Sequence, residues 1–443
     1  MGEARTSDIH SMRFQDSRGA PSPRRGPGFR RLLLTLLVLS GLSEPRPVSA
    51  SHFKIEFDDR AALLVTKAFE RRTVDSRLAD EIVQTTGYRL LFDQVAAQTH
   101  PRRDPDAIAA EFRSALTSSP DGSDAEFGLT RARANTDQYR EALREFRRVS
   151  RSLQYLVTAR LKEVLPPVDG FESTAHLIVG GNASGFAFSD RNDISLRFDD
   201  FVGRTPDESL DMEQLASTLC HELFHVGFRL AGGSPPRPEP AGPGWVGLAH
   251  AFGPEIVGEI WRASELDEFD ATAIQERLVA WVLPKGWNVW AVDRYIALLS
   301  RLQNEGSAVY ADVPLRDIGG SGKSAAELRQ WMQKIDEDFA FLAHVTERFA
   351  SGAHPQEIDD LSTMGFRNSG PLYRVGYRMA ERIDKHSGRR PFLGTVEHGP
   401  LEFFETYFES HPYGPGTIDS QTAAEIKTLI REVRAVGDFD PTR

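Results

Sequence analysis

The chain has 443 residues, 40% of them hydrophobic and 26% charged, with a formal net charge of −11. That length supports one large or two ordinary domains with a full hydrophobic core, and the composition is that of a soluble globular protein. The acidic balance argues against a nucleic-acid binder, and a single cysteine, Cys220, excludes an internal disulfide.

The first fifty residues read as a signal peptide. Arg24, Arg25, Arg30 and Arg31 precede the apolar run Leu32–Leu39, and Val48-Ser49-Ala50 makes a small-residue cleavage site. The run is short for a bilayer span. The expectation is a secreted or periplasmic protein with no stable membrane span once the signal is removed; retention as an anchor is the alternative. Residues 51–165 read as a helical N-terminal region, with helical periodicity over Asp58–Arg72, Ser76–Gln98, Asp104–Ser119 and Ala132–Val164 and a turn cluster at Pro120–Ser123.

Pro166-Pro167 ends that pattern, and residues 166–443 read as a second domain. Its opening is strand-like: Ala175–Val179 is a short apolar run, and Ser184–Ser189 and Ile194–Phe198 alternate. Helical spacing then returns over Ser209–Gly233, where Met212, Leu215, Ala216, Leu219, Leu223, Val226 and Leu230 recur at threes and fours. Ser209 or Asp207 can cap its start, and Gly232-Gly233 can stop it. Apolar residues occur nearly all round, which predicts a buried helix.

Within that helix stand His221, Glu222 and His225, an H-E-x-x-H pattern. Residues i and i+4 share a helical face, so two imidazoles can aim at one point, as Zn²⁺ requires. Glu222 lies beside the first of them and can take a proton from a water attacking a carbonyl. Cys220 points about 100° away from His221 and is read as a core thiol.

Pro and Gly are dense in Ser234–Trp245, an inert linker or a flap, with the linker favoured; residues 246–285 turn helical again. A third ligand has to lie downstream. Phe228 and Ala231 stand where a metzincin would have Gly and His, and Trp245 stands where a thermolysin-like glutamate would fall. In Val289–Tyr310 the residues Val292, Tyr295, Ile296, Leu299, Leu302 and Val309 make one apolar face, and Glu305 falls on it. A carboxylate there is costly unless paired or bound to metal. Gly306 and Ala308 leave room for another helix. The competing reading is a surface pair between Glu305 and Arg301, and His250, Glu255, Glu259 and Glu405 are weaker ligand candidates.

The H-E-L-F-H of one helix, followed much later by N-E-G-S-A on another, resembles the gluzincin metallopeptidases. It is similar, more narrowly, to a family of bacterial zinc-dependent peptidases with a downstream E-G-x-A motif. Gly370–Gly388 also resembles that family's G-x-x-Y-x-x-G-x-x-M segment. The likeness spans roughly residues 170–410, and His225 and Glu305 lie further apart than the corresponding ligands of the best-known gluzincins. The resemblance implies one Zn²⁺ held by His221, His225 and Glu305, with Glu222 as general base. It implies hydrolysis of a peptide or protein substrate, and a tyrosine donor to the developing oxyanion: Tyr373 first, Tyr377 second, with His398 an outside candidate. The fold expected is α+β and mostly helical, a zincin-like catalytic domain with a small strand-rich lobe. The alternative function is an inactive zincin scaffold that binds zinc or a partner.

Overall fold

The computed structural model describes residues 53–71, 74–98, 103–117, 127–181, 183–187, 191–203, 209–232, 289–317, 323–410 and 415–437. The expected signal peptide, the turn at 120–123, the segment 234–245 and the helical stretch 246–285 lie outside them. The described residues are mostly helical with one four-stranded sheet, an α+β architecture, and all belong to one compact unit, Ser49–Arg443. Among them no helix is long and apolar enough to cross a membrane.

The sheet runs in the order β1 (Phe53–Asp58), β2 (Phe171–Ile178), β4 (Ile194–Arg197), β3 (Gly185–Ala187). β1 lies parallel to β2, pairing from Phe53 with Phe171 to Asp58 with His176. β2 is parallel to β4, and β3 runs antiparallel to β4 at the far edge. The periodicity placed residues around Asp58 at the start of a helix and missed β1. Its pattern is half-exposed and short, and only the partner strand more than a hundred residues later fixes it as a strand. Phe53 stacks on Phe171 with ring centroids 4.6 Å apart, which pins the register.

Among the described residues six helices lie in the crossover from β1 to β2: α1 (Arg60–Phe69), α2 (Ser76–Val83), α3 (Thr86–Gln98), α4 (Pro105–Thr117), α5 (Leu129–Ala134) and the long α6 (Thr136–Val164). The expected helix over Ser76–Gln98 is two, because the chain turns at Gln84-Thr85 before re-entering at Thr86. Phe146 of α6 packs edge-on to Phe57 and Phe198, joining this layer to the sheet. The Tyr88 hydroxyl donates to the Val179 carbonyl at 2.7 Å, just past the end of β2.

After the sheet comes α7 (Met212–Ala231), buried on most sides. Its cap is Asp211, whose carboxylate accepts from the Gln214 amide at 3.0 Å, and not Ser209. The backbone around Ser209 is engaged otherwise: Leu210 bridges to Val202, and the Ser209 hydroxyl bonds Glu145. Among the described residues the remaining helices are α8 (Val289–Asp312), α9 (Lys323–Gln333), α10 (Ile335–Ala350), α11 (Pro355–Phe366), α12 (Pro371–Arg382), α13 (Arg389–His398), α14 (Pro400–Glu409) and α15 (Ser420–Gly437). The apolar face read on α8 is buried throughout, from Val292 and Tyr295 to Leu302 and Val309.

α8 crosses α12 at a glycine pair. A Cβ on Gly306 would lie 2.2 Å from the Gly376 carbonyl carbon, and one on Gly376 would lie 2.3 Å from the Leu302 carbonyl oxygen. The two backbones touch, which only glycine permits. Gly306→Ala is expected to cost about 2–3 kcal/mol, because neither backbone can yield locally. Gly394→Ala in α13, where nothing lies within 4 Å of the added carbon, should gain roughly 0.5–1 kcal/mol from helix propensity. Urea unfolding midpoints of the two variants check the contrast.

Candidate metal centre

α7 and α8 face each other, and the site lies between them. His221 and His225 stand on successive turns of α7, with ring centroids 4.8 Å apart and planes nearly perpendicular. Each Nε2 lies 3.6 Å from the same atom, Oε2 of Glu305 on α8. Among the described residues these three form the one group of His, Cys, Asp or Glu whose donor atoms converge, all within 4.8 Å of one another. Tetrahedral donors about 2.0–2.1 Å from a zinc stand roughly 3.4 Å apart, so the set fits zinc in chemistry and in spacing.

The other ring nitrogens are also held. His221 Nδ1 donates to Asp312 Oδ2 at 3.0 Å, and His225 Nδ1 donates to Asn304 Oδ1 at 3.0 Å. In the neutral rings this leaves both Nε2 lone pairs directed at the shared point, the tautomer a metal ligand needs. Arg316 grips Asp312 with two donors, Nε at 2.7 Å and Nη2 at 3.2 Å, and lies over the Trp331 ring. Sequence reading passed over Asn304, Asp312 and Arg316. The signal was present in their register: Asn304 adjoins Glu305, and Asp312 lies seven residues on, two turns along the same face.

Electrostatics follow from burial and partners. Burial opposes a charge on His221, but its bond to Asp312 and the nearby Glu305 carboxylate outweigh that and push its pKa up to about 10. Burial likewise works against Glu305, and the neighbouring charges of His225 and His221 reverse it, holding the carboxyl below its ordinary range. Glu222 moves the other way: burial raises it, and the two imidazoles only partly compensate. Glu222 also sits directly under the sheet edge. A Cβ on Gly185 of β3 would lie 2.9 Å from Glu222 Cγ and 3.0 Å from Thr218 Cγ2, so the strand rests on α7 at this turn.

Tyr373, on α12, is half-buried and lies within electrostatic reach of Glu305 and Arg301. Burial first, and then the charge of Glu305, raise its phenol, so it carries its proton at neutral pH. Tyr377, one turn on, is turned elsewhere: its hydroxyl donates to Glu381 Oε1 at 3.3 Å. His398 closes α13 and Glu405 lies on α14, and neither joins the convergent group. His250, Glu255 and Glu259 fall outside the described residues. Cys220 is fully buried, its thiol against the Ala311 carbonyl at 3.8 Å.

Residues 291–410 match the model of a family described as "Putative zinc dependent peptidase". The matched span begins in α8 and ends in α14, so it holds Asn304, Glu305, Asp312 and Tyr373 but not the α7 residues His221, Glu222 and His225. No curated protein and no solved structure matches the chain.

Because His221 without metal holds its proton up to about pH 10, zinc has to displace that proton at neutral pH. Calorimetry in two buffers of different ionisation enthalpy should record release of about one proton per zinc at pH 7, and affinity rising with pH until His221 loses its proton unaided. Asp312→Asn, which keeps the shape but not the charge behind His221, should weaken zinc binding by roughly 10–100-fold in competition with a chelator.

Proposed function

We propose that this chain is a zinc-dependent peptidase of the gluzincin kind that acts outside the cytoplasm. The observation that carries the reading is the convergence of His221, His225 and Glu305 on one point with Glu222 buried beside it. The family match over residues 291–410 supports the same class of chemistry. The basic residues, apolar run and small-residue site within 1–50 support export.

His221, His225 and Glu305 would hold the zinc, whose chemistry when bound is that of a Lewis acid toward a carbonyl and an activator of water. Glu222 accepts the proton of the attacking water and passes it to the leaving amine. Its raised pKa suits both halves of that transfer. Tyr373 donates its phenolic proton in a hydrogen bond to the oxygen that gains negative charge. Asp312 and Asn304 keep the two imidazoles from turning. β3 offers a place for the peptide to lie: β4 pairs with one of its edges, and among the described residues no strand pairs with the other. An extended substrate can add to that edge directly above Glu222.

Glu222→Gln should keep its zinc and lose about 10²–10⁴-fold in turnover of a fluorogenic peptide mixture. Zinc lost with the substitution, or activity that survives it, would show that the roles are assigned wrongly. Tyr373→Phe should lower kcat about 100-fold with little change in zinc content, read by metal analysis and initial rates.

A further inference from the structure

One cation stands beside the centre without a hydrogen bond to the three convergent residues. Arg301 lies one turn before Glu305 on α8, with Nε 3.8 Å from Glu305 Oε1, beyond hydrogen-bond range. Its guanidinium lies over the Phe366 ring, 4.3 Å from the centroid. Its charge also acts on the Tyr373 phenol. Its side chain remains 49% exposed, against 16% for Glu305.

The surface under it is rigid. Phe366 is buried and meets Tyr373 edge-on with centroids 5.5 Å apart. The turn joining them carries two successive residues, Asn368 and Ser369, at φ 53° and 54°. Non-glycine residues hold that conformation only when their surroundings impose it. Here Arg374 donates to the Ser369 carbonyl through Nη1 at 2.7 Å while its Nε and Nη2 grip Asp338, buried in α10, at 2.6 Å. Arg301 presents the flat fork of its N–H donors over an aromatic ring at the rim of the metal centre.

Charge balance points the same way. With both imidazoles neutral, zinc on His221, His225 and Glu305 would leave that set with one net positive charge. Arg301 is thus not needed to neutralise Glu305 in the loaded protein, and a fixed cation beside a cationic centre calls for an anion from outside. A planar guanidinium pinned on an aromatic face is suited to bidentate binding of a carboxylate.

We propose that Arg301 is a specificity-determining residue that binds a carboxylate of the substrate close to the cleaved bond. The inference rests on the zinc peptidase reading. That carboxylate has two sources, the free C-terminus of a peptide or an Asp or Glu side chain.

The test uses the zinc-loaded chain and two pairs of peptide hydroxamates, with affinities read by calorimetry. In one pair the C-terminus is a free acid or its amide. In the other, with both ends blocked, the residue next to the hydroxamate is Glu or Gln. Hydrolysis of the corresponding peptides is measured alongside. The acid of at least one pair should bind roughly 10–100-fold more tightly than its amide, the range of a charge-assisted hydrogen bond. Arg301→Gln should bring that acid down to the affinity of its amide, and Arg301→Lys should restore part of the difference. Zinc content and circular dichroism of both variants check that fold and metal are intact. A preference confined to the first pair identifies a carboxypeptidase, and one confined to the second identifies cleavage beside acidic residues. Equal binding within both pairs, or a preference that survives Arg301→Gln, overturns the inference and leaves the zinc peptidase standing. If no hydroxamate binds and no peptide is cut, the peptidase reading falls and takes this inference with it.

Discussion

Helices α7 and α8 bury two imidazoles and the carboxyl groups of Glu222, Glu305 and Asp312 in one contact. Burying so much charge is possible only where each group answers another. Glu305 answers both imidazoles through Nε2, Asp312 answers His221 through Nδ1, and Arg316 answers Asp312 from outside. The arrangement does more than bring three donors together. It fixes the axial register of α7 against α8, because a shift of one turn would leave a buried carboxylate without a partner, an error worth several kcal/mol.

Other parts of the fold serve that register. Gly306 and Gly376 bring α12 against α8 backbone to backbone, and this carries Tyr373 to Glu305. The N-terminal layer acts on the opposite end of α8. Arg160 of α6 donates to the carbonyls of Ala311 and Tyr310, both at 2.9 Å, where the last turn of α8 has no amides left to satisfy them. Asp312 follows immediately, so the helix end that orients His221 is tied down by a residue from the first half of the chain. The same region packs against α7, where Gly227 admits the Leu165 side chain.

Much of this was legible in the sequence, for identifiable reasons. The i, i+4 spacing of His221 and His225 and the apolar faces of α7 and α8 are local patterns, and local patterns survive folding. Glu305 stood out because a carboxylate on an apolar face needs a reason. Gly306 was readable as a close approach, although its partner Gly376 was not, since only packing identifies which helix arrives. The same limit hid β1, whose strand character depends on β2. Asn304 and Asp312 look like ordinary polar residues near a helix end until the imidazoles they hold are in place. Tyr373 and Tyr377 are equivalent by spacing, and only packing places the first near the charge of Glu305 and the second on Glu381.

The pairing of Phe53 with Phe171 has a consequence for the order in which the molecule assembles. A ribosome releases β1 before β2, yet its hydrogen-bonding edge has no complement until β2 has emerged, after helices α1 to α6. Helices α1 to α6 can form from contacts within their own stretch, while the strand waits with its backbone groups unanswered. The sheet therefore closes late and across a long loop of chain, the kind of contact that slows folding most. During that wait the exposed strand is the segment most open to pairing with another copy, and a chaperone that holds β1 would protect the nascent chain at its weakest moment.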